Sequence, residues 1–135
     1  MKLSFSLLIS LMFFSFYSVA QQVTIKNDVA YNLESIFIGG QKNTIAKDKA
    51  ALFFDIKKKT AKCYISCNFI ELKYSAKKSK FKCKSVVAGP VPCPDHLLGL
   101  ESDLKENFAK INYYQILNNK IIFFNKKDTL MVFYE

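Results

Sequence analysis

Between residues 32 and 85 the chain alternates apolar and polar positions with the two-residue period of half-buried strands. Residues 32–38 read as a first strand, stopped by the turn signal Gly39-Gly40. A second run, 51–56, breaks at Lys57-Lys58-Lys59. In the third, Cys63, Ile65 and Cys67 take one face while Lys62, Tyr64 and Ser66 take the other; Ile70, Leu72 and Tyr74 then alternate with Glu71 and Lys73. The plainest alternation follows the turn at 75–78. There Lys80, Lys82 and Lys84 point one way and Phe81, Cys83 and Ser85 the other.

The pattern then changes. Residues 89–94 hold three prolines, which fix φ and remove donors, so this stretch is neither helix nor central strand. From residue 97 the apolar positions fall three and four apart at Leu97, Leu100, Leu104, Phe108 and Ile111, which predicts one amphipathic helix over 97–110 with Asp95 as its N-cap. Residues 113–117 and 120–124 form a hairpin around Asn118-Asn119, because Asn tolerates the positive φ such a turn needs. A last strand covers 129–134. The predicted fold is α+β and β-dominated: seven or eight antiparallel strands in a bent sheet or half-barrel packed on a single α-helix, since a lone helix can bury its stripe only against the sheet.

The first twenty residues belong to neither pattern. Lys2 precedes an apolar run over 3–17, and Ser18 and Ala20 stand at −3 and −1 before Gln21, the pattern of a cleaved secretory signal. The expectation is a secreted or periplasmic domain over residues 21–135, with no membrane span once the leader is removed. Net charge is +9; losing Lys2 leaves 20 − 1 basic residues against 11 acidic ones, or +8. Every basic residue is Lys. Specific phosphate or base recognition usually enlists the planar Arg fork, so sequence-specific nucleic-acid binding is not expected. The row Lys80, Lys82, Lys84 reads first as protection of a sheet edge, and second as a binding surface for an anionic ligand.

An exported chain with four cysteines most economically forms two disulfides. Cys63 and Cys67 on one strand stand roughly 13 Å apart, beyond the roughly 7 Å that a bridge spans. Two pairings stay open: Cys63–Cys83 with Cys67–Cys93, or Cys63–Cys93 with Cys67–Cys83. A zinc site built from these thiolates, or from three of them and His96, has poor spacing, because Cys83 and Cys93 lie too far apart for a metal knuckle.

Cys67-Asn68, a strand pair, Cys93-Pro94, a helix bearing Leu104 and Phe108, then Tyr114-Gln115-Ile116, Lys120 to Phe123 and Leu130 to Phe133 follow the order of a known family. The chain resembles the META domain, or HslJ-like, family from about residue 31 to 134. Ser66 and the segment 86–92 depart from the family's usual Gly and threonine-led stretch. The resemblance implies a small exported domain with a twisted antiparallel sheet and one helix, associated with stress responses and with no shared enzymatic activity. It also implies a Cys67–Cys93 bridge, which leaves Cys63–Cys83 as the second.

Candidate chemistry is sparse. His96 has no nucleophile beside it, Ser102 and Asp103 being six and seven residues on. Glu101, Asp103 and Glu106 read as solubilising charge on the helix. No phosphate loop or dinucleotide fingerprint is present, so neither an enzyme nor a cofactor is expected. Strand aromatics such as Tyr64, Tyr113 and Phe124 must partly face outward. The expectation is a non-enzymatic domain serving envelope or stress physiology through protein contacts; the alternative is a secreted binding or inhibitory module whose lysine and aromatic surface takes an anionic ligand or a protein partner.

Overall fold

The computed structural model describes residues 24–135; the leader read over residues 1–20 lies outside them. The strands are β1 (Tyr31–Ile38), β2 (Gln41–Thr44), β3 (Ala50–Asp55), β4 (Thr60–Ile65), β5 (Asn68–Lys77) and β6 (Lys80–Ala88). Helix α1 (Asp95–Lys110) follows, then β7 (Tyr113–Leu117), β8 (Lys120–Asn125) and β9 (Asp128–Tyr134). All pairings are antiparallel, in the order β2-β1-β3-β4-β5-β6-β7-β8-β9. β1 also pairs with β9, Leu33 opposite Phe133 and Ile36 opposite Met131. The bent sheet therefore closes into a ring of eight strands, with β2 attached outside it to the end of β1.

Every strand but β2 forms where expected because its inward positions are apolar. Leu33, Leu52, Phe54, Cys63, Ile70, Leu72, Phe81, Ile121, Phe123 and Phe133 are all buried. A run of ring contacts, Phe54–Phe81–Phe123–Phe133–Phe108, fills the interior at centroid separations of 5.0 to 6.3 Å. Eight strands enclose a space that side chains can fill, and here they do. Helix α1 lies over one mouth of the ring, burying Leu104 and Phe108. Asn107 fastens it there: its Nδ2 donates to Phe37 O at 3.0 Å and Leu130 O at 3.1 Å, the end of β1 and the start of β9.

Several expectations are corrected. Among the described residues the strands number nine; the unforeseen one, β2, is exposed at every position and has no apolar face to detect. Pro94, not Asp95, stands at the helix N-cap, its carbonyl accepting from the Leu97 and Leu98 N–H groups, and Asp95 opens the first turn. β6 lies between β5 and β7 in the sheet order but meets β7 only at the Lys80–Tyr113 pair, so its flank beyond Lys80 has no strand partner. A bulge opposite Lys73 and Tyr74 turns Ser85 outward beside Lys73, and Lys84 is the extra residue.

The cysteine outcome is divided. Cys67–Cys93 is a disulfide, and Cys67 lies in the turn between β4 and β5 rather than on the strand itself. Cys63 and Cys83 are free thiols, not the second bridge. The registers explain why: Cys63 faces Ile70 of β5 and Cys83 faces Tyr74 from its other side. That places them two strands apart, roughly 9 to 10 Å, with a further offset of roughly 13 Å along β5, far beyond bridging distance.

Candidate functional site

Two surfaces and one polar knot emerge from this frame. The first surface is the outer face of β3 to β6. Phe53, Tyr64 and Phe69 occupy outward positions there because their strand neighbours Phe54, Cys63, Ile65 and Ile70 point in. Their rings make a continuous ridge: Phe53–Tyr64 at 5.7 Å, edge to face, and Tyr64–Phe69 at 6.2 Å. Lys62 Nζ stands 5.1 Å above the Phe69 ring and 3.8 Å from Glu71. Tyr64 is 48% exposed and Val87 57%, large values for such side chains on a sheet. A shallow cleft of about 540 Å³ borders the ridge on one side, with Asp55, Lys58 and Thr60 in its wall. The Lys58 backbone N–H holds the Asp55 carboxyl below its ordinary range. On the other side a cleft of about 360 Å³ runs between Phe69, Val87 and Pro90.

The knot ties the segment before α1 to the β4–β5 turn. Besides the Cys67–Cys93 bond, Asn68 Nδ2 donates to Gly89 O at 2.9 Å and to Glu101 Oε2 at 3.4 Å. Glu101 Oε2 also lies 3.0 Å from Cys93 Sγ. Gly89 N–H donates to Phe69 O, and a side chain at Gly89 would meet Asn68 Oδ1 at 2.5 Å and Phe69 Cε1 at 2.8 Å. Cys67, Asn68, Cys93 and Pro94 thus come together as a clasp. Among the described residues, Cys67, Cys93 and Glu101 form the cluster with metal-ligand spacing, but its two sulfurs are bonded to each other. The zinc set considered from sequence is not assembled: Cys63 and Cys83 stand apart from this cluster. Burial pushes both of their thiols up to about 12, so they are protonated and unreactive at neutral pH.

The second surface holds the lysine row. Lys80 and Lys82 line a cleft of about 550 Å³ with Lys77 of β5, Tyr113 of β7 and Lys126 of the β8–β9 turn. Lys84, exposed at the bulge, is not among its lining residues. His96 is exposed on the first turn of α1, and Glu106 pairs with Lys110 one helical turn on. Asn107 escaped the sequence reading, although a polar residue inside the Leu104–Phe108–Ile111 stripe was the available signal.

Fold and clasp together define a small antiparallel barrel with a packed interior, its helix clamped over one mouth by a disulfide. The chain belongs to the META domain family, whose model matches residues 21–135. Solved structures share the fold at low identity. One is an NMR structure of a protein from Burkholderia xenovorans, 12% identical over 80% of this chain and 81% of that one, with a TM-score of 0.63. A second NMR structure is 15% identical, covers 81% of this chain and 94% of its own, and has a TM-score of 0.56. The crystal structure of a DUF4847 family protein from Bacteroides vulgatus is 16% identical over 64% of this chain and 58% of that one, with a TM-score of 0.52. No curated protein matches the chain significantly.

Proposed function

We propose that this META domain is an exported, non-enzymatic protein that supports envelope or stress physiology by holding a protein partner on the outer face of β3 to β6. The observation that carries this reading is the exposed ridge Phe53–Tyr64–Phe69 with a cleft on each side. Aromatic rings that cross three strands on the outside of a filled barrel add nothing to its core, yet supply the rigid apolar area that protein interfaces enrich. Around the ridge Lys58 and Lys62 are paired with Asp55 and Glu71, which leaves Lys73, at the cleft beside Phe69, to meet a carboxylate at a partner's rim. The interior is occupied by phenylalanines, and the Asn68 and Asn107 amides donate structural hydrogen bonds, while the Ser35 hydroxyl and Asn68 Oδ1 are buried without a partner among the described residues. Export accords with the leader pattern and with a disulfide in the clasp.

A photo-crosslinking residue at position 64, compared with one at exposed Lys127, tests the contact in cells of the source organism. One discrete protein adduct at 64 and none at 127 is expected. The same adducts at both positions, or none at 64, would overturn the proposal. N-terminal sequencing of the cell-derived protein should begin at Gln21, and material retaining Met1 inside the cell would overturn export. A second reading, a binding module for an anionic ligand, is favoured by a separate observation: the lysines beside Tyr113 make no salt bridge among the described residues.

A further inference from the structure

We infer that the cleft walled by Lys77, Lys80, Lys82, Lys126 and Tyr113 binds a phosphate-bearing anion. The inference rests on the second reading above and shares no residue with the ridge around Tyr64. Lys77 and Lys80 are direct cross-strand partners at the end of the β5–β6 hairpin, and Lys82 follows two positions on, on the same face, opposite Ser75. Like charges directly opposite each other destabilise a sheet. The fourth cation, Lys126, arrives from the β8–β9 turn, far away in sequence.

No carboxylate lines this cleft, and among the described residues none of the four lysines makes a salt bridge. Five lysines elsewhere are paired: Lys26 with Glu135, Lys58 with Asp55, Lys62 with Glu71, Lys110 with Glu106 and Lys120 with Glu34. Ten other lysines among the described residues also make no salt bridge, but these four share one concave place whose lining holds no carboxylate. Its location follows from the ring. β6 meets β7 at the single pair Lys80–Tyr113, and the two strands part beyond it, which opens a recess in an otherwise continuous wall. Tyr113 stacks on Phe124, ring centroids 5.6 Å apart, and gives the recess a rigid apolar side. Ser75 and Asn112 add neutral polar groups.

Several ammonium groups without an Arg fork suit a compact anion of high charge rather than a planar carboxylate. A phosphate monoester or diphosphate has that character, and its binding would relieve the repulsion between Lys77 and Lys80. The group can reach the cleft free in solution or on a lipid headgroup, so the test has two arms. Titration calorimetry with inorganic pyrophosphate covers the first. Co-sedimentation with vesicles of phosphatidylglycerol and phosphatidylethanolamine covers the second.

Residues 21–135 are compared with Lys80→Gln/Lys126→Gln and with a control of equal charge, Lys47→Gln/Lys49→Gln. The expected result is at least a tenfold loss of affinity in the cleft variant and less than a twofold change in the control, in one arm or both. A loss confined to pyrophosphate identifies a soluble ligand; a loss confined to vesicles identifies a headgroup. Thermal melts in phosphate-free buffer keep the comparison independent of folding, because the cleft variant should melt no lower than wild type. Equal losses in both variants would overturn the site and leave an anion-binding protein without it. Absence of wild-type binding in both arms would overturn the site and the second reading together.

Discussion

Replacing Cys67 and Cys93 together by serine should cost this domain a large share of its stability, and the size follows from the loop the bond closes. The two cysteines are 26 residues apart, and the loop between them contains all of β5, β6 and the proline-rich connector. Releasing a loop of that length returns roughly 12 cal/mol/K of entropy to the unfolded chain, or about 3.5 kcal/mol at 25 °C in the chain-entropy account. With about 2.1 cal/mol/K of unfolding entropy per residue over 21–135, the melting temperature should fall by about 15 °C. Urea denaturation followed by circular dichroism measures the free energy; the m-value should rise, because the unfolded chain without its cross-link exposes more surface, and an unchanged native spectrum shows that the fold is intact. A loss below about 1 kcal/mol would refute the loop-entropy reasoning and transfer the clasp to the Asn68 hydrogen bonds. Reductant serves as a second readout. It should bring the wild type down to the variant's midpoint and leave the variant unmoved, because Cys63 and Cys83 have no bond to lose. A further drop in the variant would mean that those two are joined after all.

Three other outcomes are expected. Asn107→Ala should destabilise by about 2–3 kcal/mol, since it strands the Phe37 and Leu130 carbonyls at the mouth of the ring; Asn107→Leu, which keeps the volume, should lose as much by chemical denaturation. Gly89→Ala should cost about 1–3 kcal/mol by the same assay, because its methyl group would press into the buried Asn68 amide. Alkaline melts should show stability falling between about pH 9 and 12. The thiols of Cys63 and Cys83 are raised from 9.0 to about 12 by burial, so the unfolded chain gives up these protons first and ionisation favours unfolding as pH rises; their contribution is complete below the unfolded value. Burial of Tyr74 raises its hydroxyl and adds to the same limb, so Cys63→Ala/Cys83→Ala should flatten it without abolishing it.

Most strands were legible because burial imposes its period on the residues themselves, as in Cys63–Tyr64–Ile65 and Ile70–Glu71–Leu72. β2 was not, because Gln41 to Thr44 are fixed by backbone pairing to β1 and bury nothing. Closure was not legible either. The pairing of Leu33 with Phe133 joins residues a hundred positions apart, and nothing in a local pattern encodes it. Alternation through Lys80 and Lys82 was read correctly up to the bulge, where a shift of one residue reverses the face. The four-lysine cleft shows the same boundary between local and global information: two of its walls lay in the visible row, but Lys126 joins them only once the ring exists. The Cys67–Cys93 bond matched what the family resemblance implied, whereas its corollary failed because β5 stands between the other two thiols.

Pairing of β1 with β9 also sets the timing of folding. A ring whose first and last strands hold each other cannot close while β9 is still missing, however complete the strands between them are. Long-range pairings of this kind are made late and slowly, after the entropy of bringing distant segments together has been overcome. On a chain emerging from the ribosome the ring therefore stays open until β9 has been synthesised, even while neighbouring strands such as β3 to β6 can pair.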